Sequence, residues 1–336
     1  RLLPASLLVL GASAIASVLV LPPQLGRAAL REVTASTFYV ENLWLTSKAV
    51  TYSASNDTAS PVQHYWSLST EEQFYALWPA LILVAVWVGT RVVKRPRRSL
   101  AASPARASAL VALSLVAFAS LTHSIVLTAT DPAAAYFVTT TRAWEFAAGA
   151  LTSFLVARWV PRGRLAAGLR WSGFVAIVAT AFTISQATPF PGAVALAPVL
   201  GTVAIILAGE TFSQDPLLRV SDLRPIQWLG DVSYAVYLWH WPLIALGPFV
   251  VGRDLTWIDK SVILLITGAL AHLTRKFVEQ PFISGFDRFV GTPLRPLTAT
   301  LVAMAVIAGS SLGAGAWMDH TERIRLEERI AALASD

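Results

Sequence analysis

The 336 residues include 55% hydrophobic side chains and only 14% charged ones, with a mean hydropathy of +0.59, where soluble domains carry roughly a quarter charged residues. Cysteine is absent from the sequence, which excludes disulfides, thiolate catalysis and cysteine-ligated zinc. The formal charge of +6 is no nucleic-acid footprint, because the basic residues sit in short loops between apolar windows and form no patch or stripe.

A membrane-crossing helix needs about 20 mainly apolar residues, and about nine such windows follow one another along the chain. The expected fold is all-α, a polytopic membrane helix bundle with about nine transmembrane helices. The first window, near residues 4–21, starts directly from Arg1-Leu2-Leu3-Pro4 with no initiator Met and no basic leader, and Pro22-Pro23 closes it without a cleavage site. The expectation is a chain whose true N-terminus lies upstream. Residues 22–63 then form a long loop with Phe38, Tyr39, Trp44 and a polar run from Ser53 to Thr58. Loops of that length are more often functional lids than connectors, and short helices are expected inside it.

The second window, near 73–90, is preceded by a run from His64 to Tyr75. In a helix, His64, Ser67, Glu71 and Tyr75 share one face and align a base, a hydroxyl, a carboxylate and a phenol. The competing reading is an interfacial cap: Ser69 or Thr70 at the helix start, Glu71 and Glu72 on its positive end, Tyr65 and Trp66 in the aromatic belt. Windows near 107–128 and 136–157 follow, the second holding Arg142 and Glu145 three residues apart. Such a pair lowers the expense of burying either charge. It is either a packing device or a guanidinium free to clamp a phosphate or carboxylate.

After windows near 171–187 and 192–209, the window near 229–250 places Ser233, Tyr237 and His240 on one helical face, with Pro242 releasing a backbone carbonyl. A hydrogen-bonded link between helices is the alternative there. The window near 260–277 runs into Glu279-Gln280-Pro281. An acid at a helix C-terminus opposes the dipole, so Arg275 or Lys276 is expected to compensate Glu279. The last window, near 297–317, leads into Thr321 to Arg329, where both charge signs recur at helical spacing as in a linker helix.

Basic residues crowd alternate connections: Arg91 to Arg106, Arg158 to Arg170, Arg219 and Arg224, and Arg275 to Arg295. By the positive-inside rule those connections are cytoplasmic, which puts Arg1 inside and the tail after Trp317 outside. No G-x-S-x-G elbow, Walker loop, H-E-x-x-H or paired-glycine fingerprint occurs, and no solenoid repeat is present.

Taken together, the runs His64 to Tyr75, Arg142 to Gly149, Ser233 to Pro242 and Val278 to Phe282 resemble the acyltransferase 3 family. Each is weak alone; four in the same order over nearly the whole chain are specific. The resemblance implies a bacterial inner-membrane enzyme that takes an acyl group, commonly acetyl, from acyl-coenzyme A as co-substrate and esterifies a hydroxyl of a cell-envelope or secreted glycan such as peptidoglycan, lipopolysaccharide or another polysaccharide. No metal and no permanently bound cofactor is expected, and the partners are membrane lipid, acyl-coenzyme A and the glycan acceptor, not nucleic acid. It assigns residues 1–290 to the acyltransferase membrane domain, 291–318 to an added transmembrane helix and 319–336 to an extracytoplasmic linker toward an SGNH-like domain. It also implies two further helices upstream of Arg1, the first carrying the histidine regarded as the catalytic base. Within the chain the expected catalytic set is His64, Glu71, Glu72, Arg142 and Glu145, with Tyr65, Trp66, Ser67, Tyr75, Ser233, Tyr237 and His240 on the substrate, Arg1 on the donor, and Glu279 and Pro281 as a structural motif. A glycan or lipid-linked sugar transporter and a non-catalytic scaffold are the alternatives.

Overall fold

In the computed structural model, residues 2–52, 59–92, 104–185, 187–209, 215–284 and 294–335 are described. They are all-α, with no strand among them. Arg1, the Ser53 to Thr58 run and the basic cluster Lys94 to Arg98 lie outside the described residues. The chain divides into two compact units, the first built from Arg1–Trp44, Ala54–Ser69 and Arg224–Asp336, the second from Leu45–Ser53 and Thr70–Leu223.

Among the described residues, seven helices are long and apolar enough to cross a membrane: Leu2–Val20, Tyr65–Arg91, Ala105–Thr130, Gly163–Thr183, Arg224–Val251, Trp257–Phe282 and Leu297–Ala334. The other two windows hold shorter apolar helices, Ala143–Val156 and Gly192–Ala208. The window at 136–157 is not one span. Asp131 caps a short helix α6 (Pro132–Phe137) by accepting from the Ala134 N–H at 3.0 Å, a 3-10 turn Thr139–Thr141 follows, and α7 (Ala143–Val156) starts only after Arg142. With proline at its first position and an aspartate before it, α6 has the start signals of a helix that packing then cuts short.

In the first unit, α1 (Leu2–Val20) packs on α2 (Pro23–Thr37) and α11 (Arg224–Val251), α11 packs on α12 (Trp257–Thr274), and α14 (Leu294–Ser335) lies on α1 and α2. The expected long loop is largely helical, through α2 and α3 (Glu41–Tyr52). α2 buries Ala29, Leu30, Val33 and Ser36 at three- and four-residue spacing, the stripe that seats a helix on a core. Arg27, half-buried on α2, pairs with Asp319 at 3.1 Å and with Glu322, so the charged continuation of α14 is tied down where its apolar run ends.

In the second unit, α5 (Pro104–Thr130) packs on α7, and α8 (Gly163–Thr183) packs closely on α9 (Leu196–Ala208). Small residues set that approach: a Cβ on Gly201 would stand 2.9 Å from the Gly173 carbonyl oxygen, and helices in lipid gain contact by bringing backbones together. α8 begins eight residues ahead of its apolar window, so Arg164 and Arg170 are helical residues and not loop ones. Arg170 is buried and pairs with Asp215 while donating to the Gly209 carbonyl at 2.6 Å. Burial works against the Asp215 charge, yet the Leu217 N–H and the Arg170 guanidinium outweigh it and hold that carboxyl below its usual range.

Candidate active site

α4 (Tyr65–Val92) starts eight residues before its apolar window, which makes Tyr65 to Ser69 helical and leaves His64 in the turn that precedes it. His64 therefore does not continue the helical face of Ser67, Glu71 and Tyr75. Nor does Ser69 or Thr70 cap the helix: Ser69 lies inside it, donates to the Tyr65 carbonyl at 2.9 Å and accepts from the Glu41 N–H at 3.3 Å.

In the first unit, the turn and α11 bring His64, Tyr65, Ser67, Tyr237 and His240 together. Tyr65 is fully buried and donates to the Ser6 carbonyl at 2.9 Å. Tyr237 donates its hydroxyl to the His64 carbonyl at 2.7 Å and also bonds Ser67 Oγ. Ser67 Oγ also reaches the His64 carbonyl, at 3.3 Å, so both hydroxyls converge on that one acceptor. The His64 ring stands 5.2 Å from Tyr237 and 5.6 Å from His240, centre to centre. Both of its nitrogens are buried without a hydrogen-bond partner among the described residues. Burial first, then the neighbouring His240, lowers its pKa from the ordinary 6.5 to about 3; the Leu238 carbonyl works the other way. That carbonyl is the one Pro242 deprives of its helical N–H. The site thus holds a buried, neutral imidazole whose polar neighbour is the Leu238 carbonyl. His240 directs Nδ1 at its own helix, 2.7 Å from the Tyr237 carbonyl oxygen, and Ser233 is exposed and bonds back to Gly230 at 2.8 Å.

Polar residues from the long connection also enter this unit, and the sequence motifs did not flag them. Glu32, Glu41 and Asn42 are buried; Glu32 accepts from Ser60, whose carbonyl takes the Trp241 indole N–H at 2.9 Å. Glu32 lies on the buried stripe of α2 among Ala29, Val33 and Ser36, and a carboxylate on an apolar stripe is the signal that would have found it. At the far end of α12, Arg275 meets the fully buried Glu279 at 3.2 Å and Asp231 at 3.5 Å, which supplies the expected cation. The stretch Arg275–Glu279 is π-helical, and Pro281 is exposed in α13 (Gln280–Ser284).

In the second unit, Arg142 and Glu145 meet at 3.1 Å. The guanidinium also donates to the Tyr136 carbonyl at 3.5 Å and lies 5.4 Å from the Tyr136 ring and 4.9 Å from the Phe190 ring. Gln73 accepts from Thr139 at 2.6 Å, and Phe74 stacks on Phe146 at 4.0 Å, joining α4 to the Arg142 turn. Glu71 and Glu72 are half-buried and Tyr75 is 58% exposed, so the phenol points away from the packed interior. Trp66, in the first unit, is half-buried.

An all-α bundle with seven candidate spans and buried polar clusters at these motifs defines a multi-pass membrane protein. An acyltransferase domain profile matches residues 9–315, and the chain belongs to the acyltransferase 3 family of acyltransferases. It is 30% identical over 306 residues to peptidoglycan O-acetyltransferase OatA of Listeria monocytogenes, covering 86% of this chain and 46% of that protein. It is 28% identical over 300 residues to putative peptidoglycan O-acetyltransferase YrhL of Bacillus subtilis (86% and 45%) and 26% identical over 307 residues to O-acetyltransferase OatA of Staphylococcus aureus (87% and 48%). The chain spans about half the length of the curated relatives it matches. No solved structure matches it.

Proposed function

We propose that this chain is the membrane part of a bacterial O-acetyltransferase that moves an acetyl group from acyl-coenzyme A to a hydroxyl of a cell-envelope glycan, peptidoglycan being the acceptor its relatives' names point to. The observation that carries the reading is the family match over residues 9–315, beside relatives that are named peptidoglycan O-acetyltransferases. Transfer to a sugar hydroxyl requires a base for the hydroxyl proton and donors for the developing oxyanion. The neutral, buried His64 imidazole with Tyr237 and Ser67 beside it suits a group that receives and orients polar atoms of a reacting species. We assign His64, Ser67, Tyr237 and His240 to substrate contact, and Glu279 with Arg275 to holding the cytoplasmic end of α12. By the charge bias of its loops the chain lies in the cytoplasmic membrane with its C-terminal helix ending outside, where an SGNH-like domain would face the envelope. The test is the ester content of envelope glycan, released by mild alkali, from cells with and without the gene. Loss of O-acetyl groups on deletion, with glycan quantity unchanged, is expected; loss of glycan export with unchanged esterification of what remains would make it a transporter.

A further inference from the structure

The second unit contains a groove of about 690 Å³ that none of the family motifs enters. Its lining holds the rings of Tyr136, Phe137 and Phe190 and the hydroxyl residues Thr180, Ser185 and Thr188, and among the described residues no charged side chain lines it. Its volume lies within the roughly 300–1,000 Å³ of small-molecule sites. We propose that this groove binds a sugar ring of the glycan acceptor; the assignment rests on the acceptor reading above.

Four observations select that occupant. Coenzyme A, nucleotides and phosphates need cationic partners, and the lining has none. A sugar presents a C–H face, which packs on aromatic rings, and a rim of hydroxyls, which pairs with hydroxyl side chains able to both donate and accept. Hydroxyl pairing needs spare capacity, and part of it is there: Thr180 donates to the Ala176 carbonyl at 2.7 Å and keeps its lone pairs, while Thr188 accepts the Ser185 N–H at 3.1 Å but meets the Ser185 hydroxyl only at a long 3.5 Å, which leaves the two hydroxyl protons weakly engaged. Most of the lining, finally, comes from residues 131–138 and 184–191, which hold no lysine or arginine and alternate along the chain with the basic connections, so the charge bias assigns them to the outer side where an envelope glycan lies.

This gives Arg142 a role. Tyr136 and Phe190 belong to segments far apart in sequence, and the guanidinium lies over both rings while Glu145 and the Tyr136 carbonyl hold its edge. Arg142 is a positioning residue for the aromatic wall of the groove.

The experiment measures saturable binding of a β-1,4-linked N-acetylglucosamine tetrasaccharide to the full-length protein in nanodiscs, alongside acetyl transfer from acetyl-coenzyme A. Phe190→Ala should weaken binding at least about tenfold and Ala181→Trp, which adds bulk at an exposed position of the lining, should abolish it. Thr188→Val, the mildest change, should raise the acceptor KM and leave the donor KM alone, which a merely destabilised protein would not do. Wild-type protein that shows no saturable saccharide binding, as when lipid tails fill the groove, overturns the proposal, and so does binding that survives both Ala181→Trp and Phe190→Ala. Saccharide binding without any acetyl transfer would leave the groove standing and defeat the O-acetyltransferase reading instead.

Discussion

The Arg142 cluster makes a quantitative prediction, because its contacts are of different kinds. Glu145→Gln removes the charge at 3.1 Å but leaves both ring contacts and the Tyr136 carbonyl. A quarter of the Glu145 side chain reaches the surface, so the loss should be the ~1.5–3 kcal/mol of one hydrogen bond to a charged group and not the ~3–5 kcal/mol of a fully buried pair. Arg142→Ala loses everything, including two cation–π contacts of about 0.5–1 kcal/mol each, and should be the more damaging. Exchanging the two residues should not restore stability: a glutamate at 142 would lie against two ring faces that repel anions, and an arginine at 145 would enter the first turn of α7, where the helix dipole favours an acid. Arg142→Lys keeps the charge without the flat fork and should fall between. The assay is denaturation of the purified variants in detergent, followed by near-ultraviolet dichroism. An exchanged pair as stable as wild type, or Arg142→Ala no worse than Glu145→Gln, would refute the brace.

His64, with a folded pKa of about 3 against an ordinary 6.5, should remain neutral at physiological pH; its contribution to stability is fully present above pH 6.5 and falls as pH drops from there toward 3, by at most about 1.4 kcal/mol per pH unit, and His64→Gln should flatten that limb. Gly173→Ala would push a Cβ into the Gly201 carbonyl and Ile205 and should lower the thermal midpoint of the detergent-solubilised protein, at about 1–3 kcal/mol for overpacking; an unchanged midpoint would mean that α8 and α9 can separate freely. A reporter fused after Arg98 should be cytoplasmic and one after Asp319 external, the opposite result at Arg98 inverting the whole topology.

Helix existence was legible from hydropathy, because lipid imposes one long apolar run per span. Helix starts were not: α4 and α8 each begin eight residues ahead of their windows, since polar first turns are stabilised by contacts that a hydropathy average does not register. The Arg142 and Glu145 pairing and the Arg275 partner of Glu279 follow from three- and four-residue spacing. The rest is tertiary. Phe190 lies 48 residues from Arg142 and no periodicity joins them, the turn that takes His64 out of the α4 face depends on the chain from Ser60 to Val62 bonding forward to Gln63 and Tyr65, and the groove exists only once α6 and α8 are placed.

Acyl transfer to a glycan is read most directly as radiolabel in envelope polysaccharide after membranes holding the full-length protein are given acetyl-coenzyme A labelled in its acetyl group. Alkali-labile label that appears with the wild type and is absent from membranes without the protein is the expected result. Polysaccharide that takes up no label above that background, from membranes in which the protein is folded and abundant, would contradict it.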